Sequence, residues 1–215
     1  MSQPDIFRTS RLMPIKLGTV ALRRSVTGPT PAGSFGEGSK FFGWTGGIAG
    51  GAPPFNQLPF NMQKQVQDRW CWSAVAVSIS AFYSATSPWT QCSLVCAELG
   101  DASCCTNGAS SNCNQDWTLN TALQRTTNLV TWAFGALGAT DIQTELAATR
   151  TIGCRIGWHE GGGHFVAVSG YQNNGTSEDV TVDDPFYGRS FVNLPVFTNA
   201  YIGHGSWTHT YFTQA

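Results

Sequence analysis

A chain of 215 residues, 41% apolar and 12% aromatic, is long enough to bury one substantial core or two small half-domains. Its formal net charge of -1 and pI near 6.4 give no general pull toward nucleic acid or an anionic membrane. The longest apolar-looking run, Leu129 to Ala139, falls short of the roughly 20 residues that a membrane helix requires, so no span is expected.

At the N-terminus Arg8, Arg11 and Lys16 are not followed by an uninterrupted apolar stretch, so the segment does not read as a secretory signal. Residues 1–52 carry a net charge of +4 and the remainder -5, and opposite charge on a tail and its own domain favours docking of one on the other. From Gly28 to Pro54 the chain is dense in Gly and Pro, which is poor helix material and reads as an extended linker or lid. The loose alternation from Ile15 to Leu22 allows a strand. The expected division is residues 1–52 as a pro-segment or leader laid over the rest, with a plain N-terminal extension as the alternative, and residues 53–215 as the folded domain.

From Cys71 to Tyr83 the sequence CWSAVAVSISAFY is apolar nearly all round and free of Gly and Pro, which predicts a buried helix. Ser87-Pro88 marks a break, and a second helix is expected from Trp89 to Leu99. Asp116 to Arg125 and Asp141 to Arg150 predict two shorter helices, each opened by an Asp able to cap free N–H groups. Beyond Thr151 the pattern changes to strands. Cys154, Ile156 and Trp158 alternate with Arg155 and Gly157, and HFVAVSGY, DVTVDD, RSFVNL and SWTHTYFT are short, β-rich and separated by turn residues. Helices first and strands second is an α+β arrangement.

Seven cysteines, five of them between Cys92 and Cys113, predict a disulfide framework and an oxidising or secreted location, although no export signal is visible. A zinc site is the alternative, because Cys92-x3-Cys96 is one paired unit, but the adjacent Cys104-Cys105 followed by a loop fits it poorly. On a helix Cys92 and Cys96 share one face, so both reach the 104–113 loop. Cys154 either closes a third bridge or stays buried and free. Asn174-Gly-Thr176 is a glycosylation sequon that is otherwise simply a turn.

A thiol attacks a carbonyl as the thiolate, which a helix N-terminus and a nearby imidazolium both favour. Cys71 stands where the buried helix begins, so the helix dipole and its free N–H groups favour negative charge on the sulfur and on a developing oxyanion. A side-chain amide is the usual second oxyanion donor. Gln65 lies on the approach, with Gln63 and Gln67 as competitors. His164 opens an apolar strand just after three glycines, where backbone comes close to a ligand; His159, His204 and His209 are the other histidines. Asp183 and Asp184 face opposite sides of a strand, so only one of them reaches His164. An inert buried thiol is the bland reading of Cys71.

The run Gln65-Val-Gln-Asp-Arg-Trp-Cys71-Trp72-Ser73-Ala74 resembles the Q-x5-C-W-x-A signature of papain-like peptidases, in the bacterial branch that includes the plant-pathogen effector proteases. GGGHFVAVSGY resembles the histidine strand of that family, and VTVDDPFYG resembles its Asp-Pro turn. The resemblance covers about residues 55 to 215. It implies Cys71 as nucleophile, His164 as general acid-base, Asp184 as the residue orienting the imidazole and Gln65 in the oxyanion hole. It further implies a papain-like fold with a helical half-domain led by the nucleophile helix and an antiparallel β half-domain, and disulfides in the cysteine-rich region.

The expected activity is hydrolysis of peptide bonds through an acyl-enzyme, with no cofactor and no metal, by a monomer acting on a peptide or protein substrate. Its own N-terminal segment is a candidate inhibitor. An amine in place of water would make the same residues a transglutaminase or peptide ligase. A disulfide-rich binding domain on an inactive scaffold is the reading from another class. Bacteriocin leader-processing peptidases also resemble the histidine strand and Asp-Pro turn, and they cut after double glycine. Gly46-Gly47 and Gly50-Gly51 therefore suggest self-cleavage near residue 51.

Overall fold

A computed structural model describes residues 56–215. The expected boundary at residue 53, the 1–52 extension with its strand over 15–22, and the double glycines lie outside the described residues.

Helix α1 (Cys71–Tyr83) runs over the residues expected, and ten successive residues from Cys71 to Ser80 are buried. A helix that is apolar on every face has no solvent side to offer, so it becomes the centre of the core. Trp72, Val75, Ala76 and Ile79 are fully buried in one cluster with Leu94, Leu119, Leu123, Val166 and Val168. Helix α2 (Gln91–Leu99) starts at a Thr90 and Ser93 capping box and ends on Gly100 at φ +70°, a left-handed position that suits glycine. A short 3-10 turn (Ala102–Cys105) follows.

Helices α3 (Leu119–Arg125) and α4 (Ala139–Ala147) begin elsewhere than expected. Their N-caps are Thr118 and Gly138, not Asp116 and Asp141. Asp116 instead reaches Arg69 at 3.4 Å, and Asp141 sits inside the first turn of α4, where it complements the dipole without capping.

Among the described residues seven strands make one antiparallel sheet: β1 (Asn56–Gln57), β2 (Leu129–Phe134), β3 (Ile152–Trp158), β4 (Gly163–Asn173), β5 (Glu178–Asp184), β6 (Gly188–Asn193) and β7 (Gly205–Thr213). Their order is β2-β7-β3-β4-β5-β6, with β1 added beside β4. Among the described residues this gives an α+β arrangement, helices before most of the strands, as expected. Strand β4 pairs with β3 over its first half and with β5 over its second, which places His164 and Asp184 on adjoining strands. Gly170 lets β1 approach: a Cβ there would stand 2.3 Å from Gln57 Oε1 and 2.6 Å from Thr181 Oγ1.

Besides β1 and the short 3-10 turn, two elements had no sequence expectation. The run starting at Leu129, noted only for its apolar character, is the edge strand β2. The seven residues of α5 (Leu194–Ala200) carry Pro near their start and bury Leu194 and Phe197. Both elements are settled by packing against β7, a long-range effect that local periodicity does not register.

Candidate active site

Cys71 opens α1 and is 9% exposed. Trp70 before it supplies no side-chain cap, so the first N–H groups of the helix direct their partial positive charge at the sulfur. The turn leading to it is clamped from the cysteine-rich loop. Arg69 N–H donates to Asn114 Oδ1 at 3.0 Å, Trp70 Nε1 to the Cys113 carbonyl at 2.8 Å and Trp72 Nε1 to the Gln115 carbonyl at 3.1 Å.

That loop is held by Cys92–Cys105 and Cys104–Cys113 disulfides, as the cysteine spacing suggests. Cys96 shares the helix face with Cys92 but remains a thiol, its sulfur 3.9 Å from that of Cys105. Cys154 is free and buried, and burial pushes its thiol well above the usual range. Asp101, Cys104 and Cys113 present ligand atoms within 4.8 Å of one another. Both sulfurs are spent in a disulfide, however, so the thiolates that zinc needs are not there.

His164 is the second residue of β4, with a side chain only 10% exposed. Its Nε2 lies 2.9 Å from Asp184 Oδ1, and the Cys71 thiol is near enough to act on the charge of the ring. With Nε2 turned to the carboxylate, Nδ1 is the nitrogen left for the sulfur. Burial pulls the imidazole down, but the hydrogen bonds and charges of Asp184 and Cys71 outweigh it and raise His164 to about 10. Trp158 covers the ring on one side, stacked at 6.0 Å between centroids, and its own neighbour is His204 at 4.8 Å.

Asp184 ends β5 and opens a tight turn through Pro185. Its Oδ1 also accepts the N–H groups of Phe186 at 2.7 Å and Tyr187 at 2.9 Å. Burial pushes this carboxyl up, yet the hydrogen bond and charge of His164 and the two turn N–H groups together hold it below its usual range. Asp183 points the other way, to Ser169 and to Arg189 Nε at 2.7 Å. Of the two carboxylates it is therefore Asp184 that meets the imidazole. His159, His204 and His209 bond to Ser206, Glu160 and Thr208 respectively, away from the Cys71 and Asp184 pair.

Gln65 is 9% exposed, more buried than Gln63 or Gln67. Its N–H donates to the Pro185 carbonyl at 2.9 Å, tying the approach to α1 to the Asp184 turn. Its side-chain amide donates to the carbonyls of Gln67 at 3.0 Å and Asp68 at 2.9 Å, while Oε1 is buried without a partner. Gln91, buried on α2, grips the same stretch by accepting from Val66 N–H at 3.0 Å and donating to the Lys64 carbonyl at 2.9 Å.

A thiol beside an imidazole that is itself held by a carboxylate can form and hold a nucleophilic sulfur. Residues 55–202 match the model of the papain-like cysteine protease AvrRpt2 family. This chain belongs to that family. It is accordingly a cysteine-type peptidase whose substrate is a peptide or protein, and the matched span contains Cys71, His164 and Asp184. No curated protein matches the chain. The papain-like arrangement of half-domains is what the family implies for the observed helices and sheet.

Three site residues of this family member escaped the sequence reading. Gln91 and Trp158 belong to elements that were expected, but nothing in their local pattern marks a contact with the 63–66 stretch or with His164. Tyr201, described below, follows the unexpected helix α5.

Proposed function

We propose that Cys71 is the nucleophile, His164 the general acid-base, Asp184 the orienting carboxylate and Gln65 an oxyanion donor in the hydrolysis of peptide bonds. The observation that carries this reading is the position of His164, hydrogen-bonded to Asp184 at 2.9 Å and close enough to the Cys71 thiol for the two to influence each other's charge. An imidazole raised to about 10 holds its proton near neutrality, an acid poised beside the sulfur. The sulfur attacks the scissile carbonyl. Nδ1–H then protonates the departing amine, and the imidazole, now neutral, takes a proton from the water that releases the acid.

The oxyanion is met by the Cys71 backbone N–H at the start of α1. Both amide protons of Gln65 are engaged by the 67–68 carbonyls at rest, so its donation follows rotation of the amide as substrate enters. A cavity of about 390 Å³ beside the Asp184 turn, with Met62, Lys64, Phe186 and Tyr187 on its walls, offers room for a substrate side chain.

Residues 1–52 are proposed as an inhibitory pro-segment removed by self-cleavage near Gly51, supported by the net charge of +4 set against -5 on the remainder. Limited proteolysis that removes residues 1–52 without changing activity would count against inhibition. Identical maturation of wild type and Cys71→Ala in mass spectrometry would count against self-cleavage. The proposed monomer acts in an oxidising compartment, which the two disulfides support.

Digestion of a peptide library with wild type and Cys71→Ala tests the central reading. Cleavage by wild type alone is expected. Equal cleavage by both would remove Cys71 from the chemistry, and ligated product with excess amine in place of hydrolysis would reassign the acceptor.

A further inference from the structure

Asp184 is 2% exposed, and its two oxygens are served unequally. Oδ1 takes His164 and the two turn N–H groups, whereas Oδ2 takes the hydroxyl of Tyr201 at 2.9 Å. Tyr201 is itself 2% exposed, and its ring packs edge-on against Phe197 at 5.4 Å. Its backbone is pinned to the first residue of β7, donating to the Gly205 carbonyl at 2.7 Å and accepting the Gly205 N–H at 2.9 Å. A hydroxyl fixed in this way has one acceptor to serve and little freedom to turn from it.

We infer that Tyr201 is a positioning residue of the active site, whose hydroxyl keeps Asp184 ionised and fixes its carboxylate plane so that Oδ1 faces His164. The inference rests on the proposed roles of Cys71, His164 and Asp184. A buried carboxylate oxygen with no donor is costly, and a hydrogen bond to the charged form is what offsets that cost. Burial foremost, and then the charge of Asp184, raises the phenol above its ordinary value, so Tyr201 stays a donor throughout the working pH range. Without the hydroxyl, Oδ2 competes for the donors of Oδ1 and the imidazole loses its fixed partner.

The titratable groups facing Asp184 are His164 from β4, with Cys71 beyond it on α1, Tyr187 from the turn and Tyr201 at the end of α5. Asp183 and Arg189 pair with each other instead. Tyr201→Phe removes one oxygen and keeps the ring, so it isolates the hydroxyl. The expected result is a fall of about ten- to a hundredfold in kcat with KM little changed, the size of one hydrogen bond to a charged group. The acid limb of the pH profile of kcat/KM moves to higher pH by about one unit, because Asp184 then protonates more easily. In an Asp184→Asn background the same change adds nothing further.

A uniform loss of activity with an unmoved pH profile, or an equal loss in both backgrounds, would make Tyr201 merely structural and overturn the inference. Should Tyr201→Phe not fold, 3-fluorotyrosine at position 201 keeps the shape and donates more strongly. The acid limb should then move to lower pH, and an unmoved limb overturns the inference equally. Cys71→Ala run alongside separates the two claims, since activity surviving in that variant sinks the nucleophile assignment whatever Tyr201 does.

Discussion

The indole N–H of Trp70 donates to the Cys113 carbonyl at 2.8 Å, so the residue preceding Cys71 is tied to a residue of the Cys104–Cys113 disulfide. The Cys104–Cys113 bridge closes a short loop that carries Asn114 and Gln115 against Arg69 and Trp72. Replacing both cysteines by serine should cost about 2–4 kcal/mol of stability, the usual worth of such a bridge. Activity should fall further than the folded fraction does. Thermal melts and active-site titration on one sample check this, and specific activity equal to wild type per folded molecule would disconnect the loop from the site.

Neighbouring carboxylates predict opposite phenotypes. Asp184→Asn removes the charge that His164 faces, and should lower kcat by about a hundredfold or more at neutral pH. Asp183→Asn disturbs Ser169 and Arg189 and should lower the melting temperature while leaving the shape of the pH profile unchanged. Steady-state kinetics over pH on the two variants compare them directly, and a reversed pattern would exchange their assignments.

His164 links stability to pH. Its ordinary value of 6.5 rises to about 10 in the folded chain, so the tighter hold on the proton contributes stability that is fully present below pH 6.5. That contribution is lost as pH climbs through 10. Asp184, held below its usual range, contributes in the other sense: its stabilisation is present above the ordinary carboxylate range and disappears as pH falls through the lowered value. Melting temperatures of wild type between pH 6.5 and 10 should decline more steeply than those of His164→Asn. Parallel curves would contradict the link.

The three free thiols should react in a fixed order. Cys71 sits beside an imidazole and Cys96 is partly exposed, whereas Cys154 is fully buried with its thiol pushed up. Alkylation of the native protein near neutral pH should modify Cys71, then Cys96, and should reach Cys154 only after unfolding. Peptide mapping with time gives the order, and early labelling of Cys154 would show that strand β3 opens.

Gly170→Ala places a methyl group where Gln57 and Thr181 already stand, at 2.3 Å and 2.6 Å. The Gln57 amide must turn away and give up the hydrogen bond it accepts from Thr181, at about 0.5–1.5 kcal/mol. A denaturant midpoint equal to that of wild type would show that the Gln57 side chain adapts without cost.

Much of this site is legible in the chain because its chemistry coincides with element boundaries. Cys71 begins a helix whose all-round burial is written in ten successive residues. His164 follows glycines at the mouth of a strand, and Asp184 precedes a proline that ends one. Contacts between elements are not legible in the same way. The tie between Gln65 and Pro185 and the grip of Gln91 on residues 64–66 depend on how loops cross, and no local period encodes that. Tyr201 escaped because α5 is seven residues long, too short to display a repeat, and forms by packing on β7. The two misread helix starts have a common origin: Asp is a good cap in general, but Thr118 and Gly138 take those positions here while Asp116 pairs with Arg69.

The antiparallel pairing of β4 and β5 has a consequence for timing. His164 and Asp184 stand 20 residues apart and late in the chain, whereas Cys71 leaves the ribosome before either. From the emergence of Cys71 until β4 and β5 have been made the polypeptide therefore carries that thiol without the imidazole, and the long-range closure that brings them together is slow compared with forming α1. On the roles proposed for these residues, cutting power arrives only once β4 and β5 have paired.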